Sequence, residues 1–308
     1  MRLRLIVMTA ALLAPVTAYA GDSTKLLQEA DRQYFQGNLD RSLEMYEKAA
    51  TENPSDHSAL LSLGVTYAEK GEWDKAIESL KKASVLNPRS AEIYVDLSLA
   101  HSEKEDYDRG VTYAKKAIEL EPKRSSGYVA LGYAYEGAGE PDRAVAVFRE
   151  GMRINPQDAD LPLSLGNLLS KLGRYDEAIA AYDRCIELDP TSSFAYSNAA
   201  YVFEERKQFD KAIEYMERAT QADPKDEVAW YDLGAAHSKK GDVDKAIVCY
   251  EKSHRLNPRF YKACLSLAIA HELKRDLETA SEYYVKALSL TEDPKVKEAI
   301  MRQITNVS

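Results

Sequence analysis

The stretch GEWDKAIESLKKASVLNPRS occupies residues 71–90, and GDVDKAIVCYEKSHRLNPRF occupies residues 241–260. A glycine, an Asp-Lys-Ala-Ile run and an Asn-Pro-Arg ending fall at matching offsets in both. Working outward from the Asn-Pro pair, prolines recur at Pro54, Pro88, Pro122, Pro156, Pro190, Pro224 and Pro258, each 34 residues after the last. A fixed period of this size marks a chain built by stacking one supersecondary unit many times. Asn, Asp or Glu precedes each lattice proline. Such a pair ends a helix, because proline lacks an N–H and drives its predecessor out of the right-handed helical region.

When each unit is started three residues after its proline, further positions align. Leu63, Leu97, Leu131, Leu165, Leu233 and Leu267 share the seventh position. Gly64, Gly132, Gly166 and Gly234 share the eighth with Ala30, Ser98, Ala200 and Ala268. The eleventh holds Tyr67 and Tyr135, and also His101, His237 and His271. Gly37, Gly71, Gly139, Gly173 and Gly241 mark a mid-unit turn. Beyond it Ala76, Ala144, Ala178, Ala212, Ala246 and Ala280 align, followed by Tyr46, Phe148, Tyr182, Tyr250 and Tyr284. Apolar spacings of three and four within each half predict two helices per unit. Small residues are expected where the helix axes approach closely, with aromatic rings filling the wedge beside them.

AEIYVDLSLAHSEKEDYDRGVTYAKKAIELEPKR (91–124) and EVAWYDLGAAHSKKGDVDKAIVCYEKSHRLNPRF (227–260) carry the frame most completely. They resemble the tetratricopeptide repeat (TPR). That resemblance implies an all-α, right-handed α-solenoid of 34-residue helix-turn-helix repeats, with eight tandem units over residues 23–294. Residues 295–308 place Val296, Ile300 and Ile304 on one stripe and are expected to form a C-terminal capping helix. Some units depart from the frame: Pro162 stands in a first helical turn, Gly110 replaces the aligned alanine, and Lys207 replaces the turn glycine.

The first twenty residues belong to another pattern. Arg2 and Arg4 precede the apolar run LIVMTAALLAPV (5–16), and AYA (18–20) supplies small residues before Gly21. This order predicts a cleaved secretory signal peptide over residues 1–20 and an exported, periplasmic protein; a secreted or signal-anchored one is the alternative. The run is too short for a comfortable membrane span, so no stable anchor is expected after cleavage. The formal net charge of −9 argues against nucleic acid, since binding a polyanion relies on Lys and Arg.

The chain shows no catalytic constellation. HELKR (271–275) lacks the second histidine of a zinc-protease helix, and Ser79 with Lys82 lacks every companion motif of that spacing. His101, His237 and His271 replace a core tyrosine, so no enzyme activity, metal or other cofactor is expected. Cys185 stands where other units carry alanine. Cys249 and Cys264 lie on consecutive helices, compatible with a disulfide or with two buried thiols.

In the family that the chain resembles, the first helices line a concave face that binds partner peptides or proteins. The resemblance places Leu27, Tyr34, Phe35, Leu61, Val65, Val95, Leu99, Val129, Tyr133, Leu163, Tyr201 and Tyr231 on that face. Acidic residues including Asp31, Glu69, Glu92, Asp96, Glu103, Glu204 and Asp232 are interspersed, with few bases. Such a face suits a protein or peptide partner with apolar anchors and basic flanks. The Lys/Arg/Asn carboxylate clamp of the family's chaperone-tail binders is not reproduced; Leu61, Val95 and Val129 stand at one of its positions. Two functions fit: a non-enzymatic scaffold for proteins of the envelope, or a chaperone-like holder of extended exported polypeptides.

Overall fold

The computed structural model describes residues 22–307, so the expected signal peptide lies outside the described residues. Sixteen helices among the described residues form eight consecutive pairs. The first four pairs are α1 (Asp22–Phe35) with α2 (Leu39–Glu52), α3 (His57–Glu69) with α4 (Trp73–Leu86), α5 (Ala91–Glu103) with α6 (Tyr107–Leu120), and α7 (Ser125–Gly137) with α8 (Pro141–Ile154). The next four are α9 (Asp160–Lys171) with α10 (Tyr175–Leu188), α11 (Ser193–Glu205) with α12 (Phe209–Ala222), α13 (Glu227–Lys240) with α14 (Val243–Leu256), and α15 (Tyr261–Leu273) with α16 (Leu277–Leu290). A last helix, α17 (Pro294–Val307), follows. The chain forms two compact units, Met1–Leu161 and Pro162–Ser308, and the division falls in the first turn of α9.

Local chemistry sets each boundary. Asp56, Ser90, Ser192 and Asp226 cap first helices, their side-chain oxygens accepting from backbone N–H groups that lack an intrahelical partner. Each first helix ends in the same closure, in which the residue after the turn donates its N–H five residues back: Asn38 to Gln33, Glu72 to Tyr67, Gln208 to Phe203. The turn residue itself is left-handed in all eight pairs. Five are glycines, but Glu105, Lys207 and Arg275 hold φ of 62°, 57° and 62°. The turn therefore survives loss of its glycine, at a strain cost of about 1–2 kcal/mol.

Packing explains why the unit is repeated. The aligned leucines are at most 7% exposed, and the aligned alanines after the turn are fully buried. Clusters join neighbours rather than filling one pair: Leu60, Ile77, Leu80 and Ala83 of the second repeat pack with Ile93, Leu97 and Ala100 of the third. Likewise Phe203, Ile213 and Met216 pack with Leu233, Ala236 and Cys249 of the next repeat. Burying one such leucine contributes about 1.5–3 kcal/mol, available only when the adjacent repeat is present. At Gly234 an added Cβ would lie 2.6 Å from the Tyr250 ring, so glycine lets α13 and α14 approach there. Pro162 is buried in the first turn of α9, where no intrahelical hydrogen bond is lost. On α17, Val296, Ile300 and Ile304 cover Ala287, Leu288 and Leu290.

Charged residues add a second link between repeats. Lys70 pairs with Asp40, Lys104 with Asp74, Arg206 with Asp176, Lys240 with Asp210 and Lys274 with Asp244. Each joins the end of a first helix to the first turn of the preceding second helix. Exposed pairs like these contribute about 0–1 kcal/mol each.

Candidate functional site

The contact residues that the family resemblance implies stand on the first helices, at the second, fifth, sixth, ninth, twelfth and thirteenth positions of their repeats. The structure sorts the expected contact residues into three groups. Phe35 and Tyr201 are openly exposed, at 67% and 53%. Leu27, Tyr34, Leu61, Val65, Leu99, Tyr133, Leu163 and Tyr231 are half-buried. Of these, Leu27 and Tyr34 pack on the cluster shared by the first and second repeats, Leu61 on the one shared by the second and third, and Tyr231 on the cluster of Ala246, Ile247 and Tyr250.

Val95 and Val129 are corrections. They are 1% and 6% exposed and belong to the core. Val95 lies on α5 and Val129 on α7, neighbouring first helices that are in contact. A valine there ends short of the surface, whereas Leu61 and Leu163, one methylene longer, remain half-buried.

Four exposed residues on this face escaped the sequence reading: Phe194, Val228, Ile269 and Leu273, exposed by 72, 47, 45 and 64%. They occupy the second, second, ninth and thirteenth positions, so the same register pointed to them. Other exposed large apolar side chains, including Val85, Val248 and Val285, lie on second helices.

Polar groups on the face are largely engaged with one another. Tyr34 donates to Glu69 across α1 and α3, and Tyr133 donates to Glu103 Oε1 at 2.5 Å across α7 and α5. Asp31 accepts from Tyr46 at 2.6 Å, and Lys239 pairs with Glu204 at 2.5 Å. These bonds give the tyrosine-rich composition a role, since burial and an adjacent carboxylate raise the Tyr34, Tyr46 and Tyr133 hydroxyl pKa values and keep them donors.

Two carboxyls differ. Asp96 and Asp232 share the sixth position of the third and seventh repeats. Burial, reinforced by Glu92, pushes Asp96 up to about 7, with Arg124 opposing. Burial, with Glu204 and Asp226, pushes Asp232 up to about 6, against Lys239 and Lys262.

His101 and His237 are buried, and His271 is half-buried. Each faces an aspartate five residues on through Nδ1: Asp106 at 3.1 Å, Asp242 at 3.6 Å and Asp276 at 3.0 Å. The repeat core thus absorbs them, and among the described residues no group of three His, Cys, Asp or Glu could hold a metal. Cys249 and Cys264 are buried free thiols with no disulfide between them. Burial pushes Cys249 up to about 11 and raises Cys264, whose Sγ lies 3.4 Å from His254 Nδ1. No described helix is long and apolar enough to cross a membrane.

Within each unit the first helices therefore present mixed apolar and acidic side chains. The framework is similar to several solved structures. Yeast Tom70 superposes with a TM-score of 0.71 at 17% identity, over 94% of this chain and 65% of that one. Pseudomonas aeruginosa pilF matches with a TM-score of 0.55 at 18% identity, over 69% of this chain and 97% of that one. The Cut9–Hcn1 hetero-tetramer of APC/C matches with 0.53 at 16% identity, over 92% of this chain and 56% of that one. At these identities the likeness shows the fold, an all-α solenoid of helical repeats. No curated protein matches the chain. Tetratricopeptide repeat models match residues 27–91, 95–159, 163–227, 228–260 and 263–298. With its repeats matched along nearly the whole described length, the chain belongs to the tetratricopeptide repeat family.

Proposed function

We propose that this protein is an exported, periplasmic scaffold that binds protein partners on the face of its first helices. The observation that carries this reading is the set of exposed apolar side chains at shared register positions: Phe35 in the first unit, and Phe194, Tyr201, Val228, Ile269 and Leu273 in the second. Repeat stability does not require these large apolar groups at the surface, and exposed apolar groups repeated at the same register positions of neighbouring first helices suit an interaction face. Acidic neighbours favour a partner that brings basic residues beside its apolar anchors. Export rests on the arrangement of residues 2–20, ahead of Gly21.

Photo-crosslinkers placed at Phe35 and Tyr201 in the native compartment test the face directly. Partner adducts should form there and be absent from a crosslinker at Val248 on α14. A defined set of partners at fixed stoichiometry supports a scaffold. Adducts to many unrelated unfolded chains instead support a polypeptide holder. Crosslinks confined to second helices would overturn the assignment of the face. Mass spectrometry of the exported protein should find Gly21 at its N-terminus, and retention of Met1 would overturn cleavage.

A further inference from the structure

Asp96 is anomalous among the carboxylates of its face. Its Oδ2 is buried and meets no hydrogen-bond donor, the only carboxylate oxygen among the described residues in that state. Buried polar atoms are nearly always satisfied, because one left unpaired loses its hydration without compensation. The cation whose field reaches it, Arg124 at the start of α7, is committed elsewhere: Nε to Ser126 Oγ at 3.1 Å and Nη1 to Glu121 at 3.3 Å. Glu92, one turn earlier on α5, only adds negative charge.

The surroundings point the same way. Asp96 stands on α5, next after α3 among the first helices, and Glu69 of α3 accepts from Tyr34 of α1. In the first four repeats the six face positions carry Asp31, Glu69, Glu92, Asp96, Glu103 and Glu136 and no Lys or Arg. Asp31, Glu69 and Glu103 each accept from a tyrosine, whereas Asp96 Oδ2 accepts from nothing. Half-buried Leu99 lies one turn further along α5, beside the same surface.

We propose that Asp96 is the seat for a single arginine or lysine side chain of a bound polypeptide, with the neighbouring apolar residues holding the segment on either side. This deepens the scaffold reading and rests on it. An incoming guanidinium supplies the missing donor and the opposite charge together, and a charge-assisted hydrogen bond is stronger than a neutral one. It also favours the ionised carboxylate, so seating the cation near neutral pH releases a proton from Asp96.

The test uses the full chain and a degenerate hexapeptide pool with a central arginine, set against the same pool with citrulline, its neutral near-isostere. The arginine pool should be retained at least about tenfold more strongly, a difference of about 1.4 kcal/mol. Asp96→Asn should erase the preference, while Glu121→Gln preserves it. Carboxyl-detected NMR should show Asp96 deprotonating at pH 7 as the arginine pool binds. Equal retention of both pools, weakened by Leu99→Glu, would overturn the cation seat and leave the face reading standing. An arginine preference that persists in Asp96→Asn would do the same. No retention of either pool, or retention indifferent to Leu99→Glu, would overturn the face reading along with the seat. Circular dichroism of Asp96→Asn controls for folding, which an isosteric loss of buried charge should leave intact.

Discussion

The backbone N–H of Gln208 donates to the carbonyl of Phe203 at 2.8 Å, closing a turn in which Lys207 stands at a φ of 57°. The same closure appears at Gly37, Gly71 and Gly241 without a side chain to strain it. Lys207→Gly, Arg275→Gly and Glu105→Gly should each stabilise the protein by about 0.5–1 kcal/mol, the relief being partly offset by the greater freedom of glycine when unfolded. Urea denaturation of each variant measures this, and a lower midpoint in all three would contradict it.

Stability should respond to pH in two opposed windows. Asp96 and Asp232, raised to about 7 and 6, keep protons in the fold that the unfolded chain gives up near pH 4. Stability from these groups therefore falls as pH rises from about 4 to 7. Asp96→Asn should exceed the parent by on the order of 2–4 kcal/mol at pH 8 and match it near pH 3.5. His101 and His237 are lowered by burial, so they stay neutral in the fold while the unfolded chain takes up protons below about pH 6.5. Their contribution falls as pH drops. His237→Phe, matching Phe203 at this position, should shrink the loss of stability between pH 7 and 5, as read from denaturation midpoints.

Removing α17 by a stop after Glu292 should uncover Ala287, Leu288 and Leu290. Hydrogen exchange should then show α15 and α16 losing protection first, with α11 and α12 little changed, because repeats contact mainly their neighbours. Uniform loss along the chain would contradict a nearest-neighbour architecture.

Val95 and Leu99, four residues apart on α5, should separate core from surface. Val95→Glu places a carboxylate where 1% of the side chain reaches solvent and should cost several kcal/mol, on the order of 3–5. Leu99→Glu, at a half-buried site, should cost about 1 kcal/mol or less, and its main effect should be on partner binding. Thermal denaturation of the two variants tests the contrast.

The sequence by itself determined the repeat. The proline lattice, the buried leucines and the small residues at the eighth position are local, periodic requirements of helix ends and close helix packing, so they are written in the chain. The candidate face was legible only in part. Register assigned Phe35 and Tyr201 to it, and both side chains are exposed; the same positions carry the exposed Phe194, Val228, Ile269 and Leu273, which were passed over. Register could not show that Val95 and Val129 stop below the surface, because that depends on how closely neighbouring first helices approach. Nor could it distinguish Asp96 from Asp31: both are acids on first helices, but Tyr46 reaches one and no donor reaches the other. Hydrogen bonds between packed helices decide which charges on a surface are already engaged, and only the tertiary structure brings those side chains together.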